Sequence, residues 1–255
     1  MELQQLEKDY RVHVYQTGPD GRLNLYSLFD YLQDIASEHA VKLGYGRDDL
    51  MKENRFWVLS RIYAVIKEWP LWEDTIVVRT WPKGTDKLFA MRDYEVCYPD
   101  GRPVASASSS WLIVDQTTRK IQRPDNTLTM YNSDFPLKNA LPRNASKLVP
   151  IAVDSRIASK FNVRISDLDI NLHTNNVRYL KWVIDSYELG FVMHNVPFSA
   201  EINYLAESHY DEEIIIRVSE EKENNSLINH SIVRTSDNTE LCRIRIGWEE
   251  CIFKK

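Results

Sequence analysis

Two distant stretches of this chain run through the same succession of patterns, and an internal repeat restricts the fold to two copies of one unit. A helical stripe at Leu25, Leu28, Phe29, Leu32, Ile35 and Ala36 recurs at three- and four-residue steps. A second runs through Val177, Leu180, Val183, Ile184 and Tyr187. After each come runs rich in β-branched and aromatic residues, FWVLSRIYAVIKEW and DTIVVRTW in the front half, AEINYLAES and EEIIIRVS in the back. An offset of 139 lays KEWPLWEDTIVV (67–78) on AESHYDEEIIIR (206–217), so that Glu68 meets Glu207. An offset of 137 sets Asp100-Gly101 against Asp237-Asn238 and Trp111 against Trp248, and one of 147 sets LNLYS (23–27) against INLHT (170–174). Three alignments in the same order imply a duplicated helix-plus-antiparallel-sheet unit, an α+β organisation.

Between the halves, RPDNTLTMYNSDFPLKNALPRNASKLVP (123–150) is interrupted by Pro124, Pro136, Pro142 and Pro150, and no period survives. The reading is a front unit over 1–130, a linker over 131–150 and a back unit over 151–255. The linker is expected to pack along the surface through Leu128, Met130, Tyr131 and Phe135. At 255 residues with 43% hydrophobic side chains the chain can bury a substantial core. A formal charge of −5 with no dense Lys/Arg stripe argues against a nucleic-acid protein. Cys97, Cys242 and Cys251 are too few and too scattered for a disulfide framework or a zinc site. No secretory signal opens the sequence and no apolar run approaches the ~20 residues of a membrane span, so the expected setting is soluble, reducing and cytoplasmic.

The two copies differ where the second helix begins. DINLHTNN (169–176) puts Asp169, Asn171 and His173 at alternate positions, followed by Asn175 and Asn176. Under the 147 offset their counterparts are Arg22, Asn24 and Tyr26, so the front copy lacks both the acid and the imidazole. Asp and Asn ahead of a helix are ordinary N-caps, but an architectural need would be expected in both copies. An amide and an imidazole near a helix start, where free N–H groups stabilise developing negative charge, can polarise a carbonyl and orient a water. The strand after the helix offers a carboxylate, Glu207. Were it buried, desolvation would raise its pKa toward the range of a general base. Against this, Glu68 in the front copy shows that a Glu there need not be catalytic.

These residues resemble the acyl-ACP thioesterase family, bacterial relatives of the plant FatA/FatB enzymes. The family's D-x-N-x-H-x-N-N-x-x-Y motif reads Asp169, Asn171, His173, Asn175, Asn176 and Tyr179, and Trp182 fits its continuation. A Y-x-x-E-C motif reads Tyr204 and Glu207, with Ser208 in place of the cysteine that plant members usually carry. LFDYLQDIASEHA, FWVLSRIYAVIKEWPLWEDTIVVRTWP and ASSSWLIVDQTTRKI extend the resemblance over nearly the whole chain. It implies a tandem hotdog, each antiparallel sheet wrapped around a long central helix. It also implies hydrolysis of fatty acyl-[acyl carrier protein] in fatty acid biosynthesis, with no metal or cofactor. Catalysis falls to the C-terminal half and much of the acyl-chain pocket to the N-terminal half. The partner implied is acyl carrier protein bearing its phosphopantetheine-linked chain.

Within that resemblance the serine matters, since a hydroxyl needs stronger activation than a thiol. Water attack is favoured: Glu207 as general base, His173 positioning it or the water, Asn171 binding the thioester oxygen and Asp169 holding Asn171. Ser208 and Asn175 are secondary candidates. An acidic carrier would dock on a local basic face, for which Arg178 and Lys181, or Lys83, Lys87 and Arg92, are candidates. A homodimer is the expected assembly. The alternatives are an acyl-CoA thioesterase and a non-catalytic acyl sensor; a sensor is expected to have lost the Asp169/His173 pair. A hydratase is disfavoured because the acid and the histidine stand four apart with Asn between.

Overall fold

The early apolar stripe folds as an 18-residue helix, α1 (Leu25–Lys42), with every residue of that stripe buried. The helix stops at Gly44, whose φ of 76° lets Tyr45 N–H reach back to the carbonyl of Ala40. The structure, a computed structural model, describes residues 4–124, 138–221 and 224–251. The chain divides into two units, 1–145 and 146–255. In the first, α1 lies against β1 (Leu6–Arg11) and β3 (Thr75–Asp86), followed in the chain by α2 (Arg47–Lys52) and β2 (Arg55–Ile66). With β4 (Phe89–Cys97) and β5 (Pro103–Asp115) the strands pair antiparallel in the order β1-β3-β4-β5-β2, and β6 (Ile121–Gln122) pairs β5. Ile76, Val77 and Val78 of β3 are all buried, and since successive side chains of a strand point to opposite faces, this stretch is covered on both.

The second unit runs β7 (Arg156–Asn162), α3 (Asn176–Ile184), α4 (Leu189–His194), β8 (Asn195–Tyr204), β9 (Glu213–Glu221), β10 (Asn224–Arg234) and β11 (Glu240–Glu250). Its strand order, β7-β9-β10-β11-β8, is that of the first unit. The registers agree as well, Arg11 facing Thr75 and Asn162 facing Glu213. An irregularity beside a tryptophan agrees too. In the β2–β5 pair Ser60 is skipped beside Trp111, and in the β8–β11 pair Phe198 is skipped beside Trp248. A bulge repeated at one place in two pairings is an inherited feature of the unit.

This correspondence revises two of the sequence offsets. The one-turn 3-10 helices at 14–16 and 165–167, the bridges Thr17–Leu23 and Leu168–Thr174, and the N-caps Asn24 and Asn175 all stand 151 positions apart, not 147. The bridge of Arg22 with Leu71 corresponds to that of His173 with His209, and Leu23 N–H to Pro70 corresponds to Thr174 N–H to Ser208. The later offset is therefore 138 (71 to 209), not 139. The error arose because the motif LNLYS resembles INLHT by composition, whereas hydrogen bonding at the turn sets the register.

The second helix is also shorter than expected. α3 has nine residues, and Tyr187 of the predicted stripe lies beyond it. Ser186 Oγ donates to the carbonyl of Val183 at 2.7 Å, which ends the helix, and the Tyr187 ring packs against His230 and Trp248 instead. No helix among the described residues is long and apolar enough to cross a membrane.

Of the connecting segment, Leu128, Met130, Tyr131 and Phe135 lie outside the described residues. The part from 138 onward is fastened down. Lys138 O accepts from Trp81 Nε1, Ala140 N–H donates to buried Asp93, and the Arg143 guanidinium stacks on the Tyr63 ring at 3.7 Å. In the second unit Ser146 N–H and Oγ donate to Glu201, and Leu148 N–H donates to Asn203. Among the described residues no disulfide joins Cys97, Cys242 and Cys251, and the first two lie within the core.

Candidate active site

The site grows from a tight turn ahead of α3. Asp169 N–H donates to the His173 carbonyl and Leu172 N–H to the Asp169 carbonyl, which folds residues 169–173 into a closed loop. Asp169 Oδ1 accepts from Asn171 N–H at 2.7 Å, the Asx arrangement that short acidic side chains favour. Its other oxygen lies 3.4 Å from the Asn171 amide nitrogen, so Asp169 braces the amide from two directions. Leu172 sits at φ 63°, where the first unit has Gly21 at 76°. This left-handed residue turns the chain so that His173 enters its bridge with His209.

That bridge brings the predicted partners together. His173 Nδ1 lies 3.5 Å from Glu207 Oε1, at the outer edge of hydrogen-bond reach, with side chains 27% and 38% exposed. An imidazole protonated on Nδ1 donates toward the carboxylate and leaves Nε2 as an acceptor. The His209 ring stands edge-on to His173, centroids 4.9 Å apart, and the His209 backbone N–H donates to the Glu212 carboxylate. Glu207 is half-exposed rather than buried. Its backbone carbonyl accepts from Arg234, which is itself paired with Glu212 and Asp237.

Ser208 and Asn175 are placed otherwise than a reacting group requires. Ser208 is fully buried, its Oγ donating to Thr174 Oγ1 at 2.7 Å and lying 2.8 Å from Tyr179 Oη. Asn175 caps α3 by accepting from Val177 N–H at 2.9 Å. Within the cluster, capping therefore falls to Asn175, while Asp169, Asn171 and His173 stand one loop earlier. Two docking candidates are excluded by burial. Arg92 is 5% exposed and bonded to Thr80 and His39, and Lys83 is paired with fully buried Asp93. Arg178 and Lys181 remain half-exposed on α3, and Lys87 is exposed.

The corrected register sharpens the contrast between the copies. Gly18, Asp20 and Arg22 stand where the second unit has Asp169, Asn171 and His173, and Trp69 stands where it has Glu207. Asp20 and Arg22 pair with each other at 3.2 Å, a fixture of the turn. Glu68 corresponds to Ala206, each donating its backbone N–H to the strand alongside, so the front copy has no carboxylate at the Glu207 position. His209 and Thr174 went unnoticed in sequence because the pairing of the turn with the segment before β9 brings them to the site, and no local pattern records it. Among the described residues no group of three or more His, Cys, Asp or Glu is disposed to hold a metal ion.

Comparison with known proteins points to one family. Residues 4–131 match the family described as acyl-ACP thioesterase N-terminal domain, and residues 152–250 the acyl-ACP thioesterase C-terminal domain. A palmitoyl-acyl carrier protein thioesterase of Gossypium hirsutum is 25% identical over 94% of this chain and 63% of its own length. One from Arabidopsis thaliana is 27% identical over 80% of this chain and 52% of its own. The chain thus spans less than two thirds of these curated relatives. An acyl-ACP thioesterase from Bacteroides thetaiotaomicron superposes with a TM-score of 0.84 at 26% identity, over 96% of this chain and 98% of that one. A 12:0-ACP thioesterase from Umbellularia californica gives 0.85 at 20% identity, over 97% and 98%, a likeness of fold.

Proposed function

Since this chain belongs to the acyl-ACP thioesterase family, we propose that it hydrolyses the thioester between a fatty acyl chain and the phosphopantetheine arm of acyl carrier protein, releasing the fatty acid and the carrier in fatty acid biosynthesis. The observation that carries this reading is the His173–Glu207 pair at 3.5 Å, present in one unit where the other has Arg22 and Trp69. On this reading each unit is a hotdog, the sheet curling around its helix, and the two form a tandem. The shared strand order and bulge support it. Residues 151–255 perform the chemistry and residues 1–130 hold the acyl tail. A cytoplasmic setting is part of the same reading.

Glu207 takes a proton from a water as that water's oxygen bonds to the thioester carbon. The carbonyl oxygen becomes an oxyanion, held by the Asn171 amide, which Asp169 keeps in place. Collapse breaks the carbon–sulfur bond, and the departing thiolate takes the proton that Glu207 accepted. His173 orients Glu207 throughout. Water is favoured over Ser208 as nucleophile because the Ser208 hydroxyl is buried and its proton is directed at Thr174.

The test is steady-state hydrolysis of acyl-ACPs of graded chain length, with His173→Ala as control and matched acyl-CoAs alongside. Glu207→Ala is expected to abolish turnover while Ser208→Ala retains part of it. Near-normal turnover by Glu207→Ala with none by Ser208→Ala would make Ser208 the nucleophile. Faster cleavage of the CoA esters would make the chain an acyl-CoA thioesterase.

A further inference from the structure

In the first unit the positions beneath the helix-entry turn are Leu23, Leu28 and Pro70. In the second they are Thr174, Tyr179 and Ser208, three hydroxyls in place of three apolar residues. All three are buried, at 5%, 3% and 0% exposure. Burying hydroxyls costs free energy unless they bond, and here they bond to one another. Ser208 donates to Thr174, so Tyr179, 2.8 Å away, donates to Ser208. The chain Tyr179 to Ser208 to Thr174 uses each of the first two protons once. Since the first unit closes the same turn with apolar groups, the fold itself does not need this chain.

Its position shows what it constrains. Thr174 directly follows His173 and Ser208 directly follows Glu207. The bond from Ser208 Oγ to Thr174 Oγ1 at 2.7 Å, beside that from Thr174 N–H to the Ser208 carbonyl at 2.9 Å, ties the two segments together one residue from each of the two groups. Tyr179, one turn into α3, anchors the tie to the helix and packs edge-on against Trp182 and Tyr204. We propose that Thr174, Tyr179 and Ser208 form a buried hydroxyl clamp whose role is to hold the His173 imidazole and the Glu207 carboxylate at working distance. They are positioning residues, and the proposal rests on the reading of His173 and Glu207 as the reacting pair.

The experiment compares Thr174→Val, Ser208→Ala, the double variant and Ser208→Cys in the full chain, each checked for its unfolding midpoint. On acyl-ACP, each single variant is expected to lower kcat about 10- to 100-fold with KM unchanged, the loss a misplaced acid–base group produces. The double variant is expected to be no worse than the poorer single, as for residues acting as one unit. Ser208→Cys, whose thiol still donates and accepts, is expected to recover most of the activity. A second measurement is independent of turnover: the His173 ring resonances, assigned by their loss in His173→Ala, shift on Glu207→Gln, and that shift is expected to shrink in the Thr174→Val/Ser208→Ala background. An undiminished shift there, wild-type kcat in Thr174→Val, or an acyl group trapped on Ser208 by mass spectrometry overturns the clamp. Absence of hydrolysis by the wild type, with the resonance response intact, would count against the thioesterase reading alone.

Discussion

The Trp182 indole donates to the Asp167 carboxylate at 3.3 Å, and at the same place in the other unit the Tyr31 hydroxyl donates to Gln16 at 2.6 Å. Both copies thus moor the helix to the short 3-10 turn before it, with different chemistry and one geometry. The rest of the set matches too: the second Asp167 oxygen accepts from Arg164 N–H and its carbonyl from Asn175 N–H, as Gln16 Oε1 accepts from His13 N–H and its carbonyl from Asn24 N–H. Removing the carboxylate strands two donors in a nearly closed pocket. Asp167→Ala is expected to lower unfolding free energy by about 2–3 kcal/mol, and Asp167→Asn by about half of that, in denaturant titrations.

The reacting pair is expected to behave in the opposite way. His173 and Glu207 are both substantially exposed, at 27% and 38%, and a polar pair so open to water contributes about 0–1 kcal/mol. His173→Ala and Glu207→Gln are therefore expected to keep the wild-type unfolding midpoint while lowering kcat by roughly 10²–10⁴, the range for loss of an acid–base group. Turnover and denaturation measured on the same preparations separate the two effects.

Leu172 and Gly21 make a reciprocal pair. Both are left-handed, and only one has a side chain that resists it. Leu172 is 72% exposed, so it recovers little packing for the strain. Leu172→Gly is expected to leave the protein as stable or to stabilise it by up to about 1 kcal/mol, whereas Gly21→Leu is expected to cost about 1 kcal/mol or more. Thermal unfolding of the two variants checks the sign. A drop in kcat for Leu172→Gly without loss of stability would show that the strained turn holds the Asp169–Asn171 brace in place.

Much of this was legible from residues alone, because periodicity and duplication depend on local pattern. The stripe from Leu25 to Ala36 and the runs around Ile76 and Ile214 became α1, β3 and β9 as their spacing required. The asymmetry at Asp169 and His173 was visible even under a misplaced offset. What escaped depends on non-local hydrogen bonding. Nothing in INLHT says that its partner is PDGRL rather than LNLYS; the bridges to Leu71 and His209 decide it. The burial of Arg92 and Lys83 was hidden too, since a basic residue near a turn reads as solvated until Arg92 is seen against His39 of α1 and Lys83 against Asp93, which Ala140 covers. The end of α3 at Ile184 came from a serine hydroxyl capturing a carbonyl, a competition that an apolar stripe does not record.

His230 supplies the pH dependence. Its Nδ1 faces the Ile244 carbonyl at 3.3 Å and its Nε2 the Tyr187 hydroxyl at 2.9 Å, while that hydroxyl accepts from Trp248 Nε1. The ring is therefore neutral, with its proton on Nδ1 and Tyr187 donating to Nε2. Burial, reinforced by the positive charge of Arg156 and only partly opposed by the Ile244 bond, pushes the imidazole down to about 4 from an ordinary 6.5. Between those values the unfolded chain binds a proton that the folded chain refuses, so stability rises with pH across the window. It is fully present above about pH 6.5 and falls progressively toward pH 4, by up to roughly 3 kcal/mol at the low end. Replacing the ring by a neutral group of similar reach, His230→Gln, removes this dependence whatever it costs at neutral pH. The difference in unfolding free energy between wild type and variant, followed from pH 7 to pH 4, is expected to move in the variant's favour as the pH falls. A difference that stays constant over that range would show that the folded state admits the proton.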